Sequence, residues 1–144
     1  QEGHAMLETG TPRIAEAIGW GAAVEWLDMH DMKEIHSHIN RIASWTAEQI
    51  SEIDGITVYG DPTRGDSSGA VSFLHESIQS QDLALLLDEG GFAVRTGHHC
   101  AQPLMDALGV PSTNRASFWL YNTMDEAEAF VEHLRYVVDR FSDK

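Results

Sequence analysis

Residues 95–100, RTGHHC, place an arginine, two adjacent histidines and the chain's single cysteine next to one another. Such a thiol can be a metal ligand, a nucleophile or a small buried hydrophobe. A structural zinc site needs four ligands at workable spacing. No second cysteine is present, and adjacent residues of an extended chain point to opposite faces, so His98 and His99 do not converge on one ion. His30, His36, His38 and His133 fall on helical stretches, and His36 and His38, two apart, do not face the same way. No metal site is expected. Burial as filler is the usual fate of a lone cysteine. The nucleophile reading rests on context. The pattern from Cys100 to Leu108 is helical and ends at Gly109, and a helix start offers unpaired N–H groups and a positive dipole end that favour a thiolate. Arg95 and a protonated His98 or His99 act in the same direction. On residues alone, filler and nucleophile stand level.

The elements that must position this motif are short and interleaved. TPRIAEAIGWGAAVEWLDMH reads as a helix, with Thr11 as its cap, Pro12 in its first position and Ile14, Ile18, Ala22 and Trp26 in a four-spaced row. Gly19 and Gly21 weaken it by about 1 kcal/mol each relative to alanine, which suggests close approach of another backbone there. Trp20 and Trp26 are candidates for an exposed apolar patch. A second helix is predicted from Met32 to Ile53, and a strand from Ile56 to Tyr59 leads to a turn rich in Gly, Pro and Asp. GAVSFLH reads as a strand, SQDLALLLDEGG as a helix capped by Ser80 and stopped at Gly90 or Gly91, and FAVR as a strand running into the motif. RASFWLYN reads as a strand. The last helix opens with a capping box, Thr123 and Glu126, and carries Ala127, Phe130, Val131, Leu134, Val138 and Phe141 along one face. The expected fold is a small α+β domain, a mainly antiparallel sheet with helices packed on one face, preceded by a long linking helix.

Composition narrows the partners. The chain has 144 residues, enough for one domain with a real core, and 42% hydrophobic residues. A formal charge of −14 excludes the basic stripe that nucleic acid binding requires. No apolar run approaches the roughly 18 residues of a membrane span. One cysteine leaves no internal disulfide and points to a reducing compartment, here the cytoplasm. Gln1 to Met6 read as a cloning remnant, leaving 7–144 as the domain.

VRTGHHCAQPLM followed by NRASFWLYNT resembles the cysteine desulfurases of the Suf type, close to the selenocysteine lyases, in the class V aminotransferase family. ETGTP and the helix after it look like the segment that follows the large domain in that family, and the likeness runs in order from about Leu7 to Phe141. The resemblance implies the small C-terminal domain of a fold-type I pyridoxal 5'-phosphate enzyme. Such an enzyme takes sulfur from L-cysteine, leaves alanine and holds the sulfur as a cysteine persulfide for a protein acceptor of iron–sulfur assembly. It works as a homodimer. Cys100 matches the family nucleophile, Arg115 the arginine that grips the substrate carboxylate, Arg95 a further substrate-side arginine, and Thr11 a residue that reaches the cofactor phosphate across the dimer. A guanidinium suits carboxylate binding because it forms two parallel charged hydrogen bonds.

One departure qualifies the likeness. The family binds its cofactor through a lysine of the large domain, and the only lysines here are Lys33 and Lys144, neither in that context. The chain is therefore expected to be inactive by itself and to hold no cofactor. Two alternatives stay open: a stand-alone persulfide carrier or interaction module, and another class V enzyme such as a transaminase, which would need no thiol at this point.

Overall fold

The computed structural model describes residues 10–61 and 68–141. Gln1 to Met6, part of the ETGTP stretch, most of the turn after Tyr59 and Lys144 lie outside the described residues. The chain divides into two compact units, residues 1–34 and 35–144.

In the first unit, α1 spans Ile14–Asp28. It begins after Arg13, which occupies the cap position without a side-chain hydrogen bond, so Thr11 does not cap it and Pro12 precedes it. None of its residues is buried: Ile14, Ile18, Trp20 and Trp26 are all exposed. A Cβ at Gly19 or Gly21 would meet nothing within 4 Å, so the expected close backbone approach is not made among the described residues.

The second unit is built on a four-stranded antiparallel sheet. Helix α2 (Met32–Ser51) leads into β1 (Ile56–Tyr59) and β2 (Ala70–His75). Helix α3 (Ser80–Glu89), β3 (Arg95–Gly97), α4 (Gln102–Leu108), β4 (Thr113–Ser117) and α5 (Met124–Phe141) follow. The strand order is β1-β2-β4-β3. Both strands flanking the motif are shifted from the sequence expectation: β3 begins only at Arg95, and β4 begins earlier, at Thr113, and stops at Ser117. Strand limits are set by partners, and Arg95–Gly97 pairs residue for residue with Thr113–Arg115.

Alternation along β2 and β4 defines two faces. Val71 and Phe73 of β2, opposite Ala116 and Asn114 of β4, are buried. They pack in one cluster with Ala43, Ala47 and Ile50 of α2, Leu83 and Leu87 of α3, and Phe130, Val131 and Leu134 of α5. These three helices cover that face as the apolar periodicity of α2 and α5 dictates. The capping box of α5 is formed: the Thr123 N–H donates to Glu126 Oε2 at 2.9 Å and the Glu126 N–H to Thr123 Oγ1 at 3.2 Å. Phe141, assigned to the buried face, is exposed in the last turn. Ser80 is not the cap of α3 but its first residue. Its Oγ lies 2.8 Å from Ser112 Oγ, and its carbonyl accepts from Asn114 Nδ2 at 2.8 Å. These bonds tie the start of α3 to β4, and so fix the strand that carries Arg115.

Candidate functional site

The opposite face of the same sheet carries the candidate chemistry. Ser72 of β2 lies opposite Arg115 of β4, which lies opposite Arg95 of β3. Directly opposed residues in an antiparallel pair project to one face with Cβ atoms about 5 Å apart, and like charges so placed repel. Among the described residues neither guanidinium has a carboxylate partner. The Nε of Arg115 is buried without a hydrogen-bond partner. Two opposed cations and an orphaned donor make a place that an anion, such as a carboxylate, would stabilise.

Cys100 is exposed, and its Sγ accepts from Arg95 Nη2 at 3.3 Å. The expected helix start does not hold it. Ala101 is the cap of α4, which begins at Gln102, so Cys100 stands outside the helix and its electrostatic partner is Arg95 rather than a helix end. His98, Cys100 and their neighbours form a turn closed by the Ala101 N–H on the His98 carbonyl at 2.9 Å. Its two central residues, His99 and Cys100, have φ of 56° and 61°. Positive φ at both central positions is the mark of the mirror-image type I′ turn, which Gly, Asn and Asp favour. For other L-residues the left-handed region costs on the order of 1–2 kcal/mol each. The turn is therefore held by its surroundings.

The visible holder is His99. Its Nε2 donates to the Thr113 carbonyl at 3.0 Å and lies 2.9 Å from Thr113 Oγ1. Because a carbonyl only accepts, this contact fixes the proton on Nε2 in the neutral ring, and the buried Nδ1 has no hydrogen-bond partner. Desolvation is the main cause holding the His99 pKa below the ordinary histidine value. The nearby charges of Arg115, Arg95 and His98 act in the same direction, while the hydrogen bond to Thr113 opposes them. His99 and Arg115 line a cavity of about 450 Å³ together with Tyr59, Ser72, Leu104 and Met105. Residues of α4 in this lining show that the short helix lies over the outer face. A larger depression of about 680 Å³ reaches β3 only at Thr96 and Gly97 and includes neither arginine nor Cys100.

Three of the four predicted site residues thus come together: Cys100, Arg95 and Arg115. Thr11 belongs to the other unit, in the exposed segment before α1. Thr113 was not assigned from sequence, and His99 was expected only as a protonated neighbour of the thiol, whereas desolvation holds its ring toward the neutral form. The signal available was the period-two spacing of Thr113 and Arg115, which puts both on one face of a strand. Among the described residues no three His, Cys, Asp or Glu side chains gather to hold a metal ion, and no helix is long and apolar enough to cross a membrane.

This sheet, with three helices on one face and a paired-arginine thiol site on the other, fits a known class. The aminotransferase class-V family model matches residues 1–130, and the chain belongs to that family. It is 45% identical over 135 residues to a probable cysteine desulfurase of Halalkalibacterium halodurans, covering 94% of this chain and 32% of that protein. Among solved structures, the Escherichia coli cysteine desulfurase CsdA in an S-sulfonic acid form superposes with a TM-score of 0.87 at 33% identity, over 97% of this chain and 34% of that one. The apo cysteine desulfurase of Thermococcus onnurineus gives 0.88 at 33% identity, over 98% and 35%. The chain therefore spans about a third of the length of the relatives it matches.

Proposed function

We propose that this chain is the C-terminal small domain of a cysteine desulfurase, with 7–144 as the domain and Cys100 as the sulfur acceptor. The observation that carries the reading is the contact of Cys100 Sγ with Arg95, whose strand partner is Arg115, with its buried Nε unpartnered. In this reading Arg115 binds the carboxylate of L-cysteine and Arg95 steadies the sulfur that attacks. The thiolate of Cys100 forms a bond to the substrate sulfur while the substrate carbon–sulfur bond breaks. The electron pair of that bond stays on carbon, which takes a proton to become alanine, and Cys100 is left as a persulfide. The exposure of Cys100 suits onward transfer to an acceptor protein of iron–sulfur assembly.

The one lysine among the described residues does not fit a pyridoxal phosphate site. Lys33 is exposed in the first turn of α2, its backbone N–H bonded to Asp31, and the other lysine lies outside the described residues. The family relationship supports the cofactor's being held, through a lysine, by a large domain in a homodimeric, cytoplasmic enzyme, with Thr11 reaching its phosphate. The exposed thiol of Cys100 also suits a second reading, a persulfide carrier loaded by another protein.

The test uses the chain alone and joined to a lysine-bearing large domain of the family. With pyridoxal phosphate and L-cysteine, the chain alone should release no alanine; the joined protein should release alanine and carry one extra sulfur on Cys100 by mass spectrometry. Cys100→Ala should remove both. Alanine release by the isolated chain, or unchanged release by Cys100→Ala, overturns the reading. A joined protein without turnover, beside a chain that accepts sulfur from a persulfide donor, favours the carrier.

A further inference from the structure

We propose that His99 is a positioning residue for Cys100: its imidazole, anchored to Thr113, holds the mirror-image turn in which the sulfur meets Arg95. The inference deepens the reading of Cys100 as sulfur acceptor and rests on it for its biological use, but its geometry stands alone. Four observations converge. The turn 98–101 has two consecutive positive φ values, neither of them on a glycine. Gly97 pairs with Thr113 in the last rung of β3·β4, so the chain leaves the sheet just before the turn. Thr113 is 1% exposed and is a fixed anchor. The His99 ring returns to that same residue, and so closes a clamp across the turn with hydrogen bonds at both ends.

The clamp also explains the choice of residue. Histidine is tolerated at a left-handed position, but Asn or Gly would fit the backbone better. A histidine has the reach to place a donor on the Thr113 carbonyl, and its lowered pKa keeps the ring neutral near two arginines. Arg95 sits on β3 at the other end of the turn, so fixing the turn against β4 fixes the distance between Sγ and Nη2. His99 touches no reacting atom in this scheme. It acts through the turn.

The experiment measures labelling of the single thiol of the 144-residue chain by iodoacetamide at fixed pH, without substrate or cofactor. Arg95→Ala and His99→Ala should each slow labelling by about tenfold, the scale of one hydrogen bond to a charged group. The double variant should be no slower than Arg95→Ala, because both remove the same contact. His99→Gln, whose terminal amide N–H reaches about as far as Nε2, should restore labelling to within about twofold of the starting rate. Labelling of His99→Ala at the original rate, multiplication of the two effects, or failure of Gln to rescue each overturns the proposal. Should His99→Ala not fold, His99→Asn takes its place: it tolerates positive φ but falls short of Thr113. Slow labelling of that variant supports the clamp, and the original rate refutes it. Neither result bears on alanine release by the joined enzyme, so failure here is distinguishable from failure of the sulfur-acceptor reading.

Discussion

The two faces of the sheet use the same strands for opposite purposes. On the inner face Val71, Phe73, Asn114 and Ala116 are sealed under α2, α3 and α5. One residue along, on the outer face, Ser72, Thr113 and Arg115 line a cavity, and two like charges are left opposed. The inner face is arranged to minimise free energy, and the outer face keeps an arrangement that is not minimal by itself. Opposed guanidinium groups, an unpartnered Nε and two left-handed residues all oppose stability locally. They are tolerable because the inner face and the Ser80–Asn114 bond hold β4 from beneath. Function is thus stacked on stability through the pleat itself.

That division is open to attack from the inner side first. Phe73 is fully buried and meets Phe130 edge-on, with ring centroids 6.2 Å apart. Phe73→Ala should lower unfolding free energy by about 3–5 kcal/mol, read by urea denaturation. In the folded fraction, labelling of Cys100 should keep its rate. A large change there would mean that the two faces are not separable.

The outer face should respond the other way round. Arg115→Gln removes one of two opposed cations, so thermal stability should hold or rise slightly. Carboxylate affinity in the joined enzyme should fall by about tenfold or more, the worth of a charged hydrogen bond of about 1.5–3 kcal/mol. The measurement is the KM for L-cysteine beside the melting temperature. A clear loss of melting temperature with an unchanged KM would make Arg115 a structural residue and leave the outer face without its anion role.

A smaller effect sharpens what local sequence determines. Thr123→Ala should cost about 1 kcal/mol through loss of the α5 cap, with the site untouched. This box was legible because its two members are three residues apart and report on each other. So were the helical faces of α2 and α5, where a period of 3.6 is a property of one segment. The antiparallel α+β class followed from the order of short elements. What was not legible depends on distant partners. The end of FAVR and the start of β4 were misplaced because their limits are set by each other's register. Thr11 reads as a cap by residue type, yet the chain turns into α1 only after Arg13. Cys100 was expected at a helix start because Gln102–Leu108 is helical and the break before it lies in two positive φ angles that no glycine announces. That break is held by a bond to a residue fourteen positions on. The cluster of Cys100 and Arg95 was visible as a motif, and Arg115 joined it through family resemblance, since nothing local predicts that it pairs with Arg95.

The smallest expected effect is also the most specific to the outer face. His99 has a pKa below its ordinary value, so the folded state binds its proton more weakly than the unfolded chain does. The sign follows from linkage: this group's contribution to stability is fully present above the unfolded value of about 6.5 and declines as pH falls from there toward the folded value. Protonation would put a proton on Nδ1, a buried atom with no partner, beside Arg95 and Arg115. Urea midpoints at a series of pH values from neutral to mildly acidic should therefore fall slightly more steeply in the parent than in His99→Gln, which keeps the donor and cannot titrate. Glu126, the other group with a shifted pKa among the described residues, is exposed at the start of α5, owes its lowering to the Thr123 and Asn122 hydrogen bonds, and is identical in both proteins. Parallel pH curves for the two proteins would mean that His99 titrates as if it were in water, and that the clamp is open in solution.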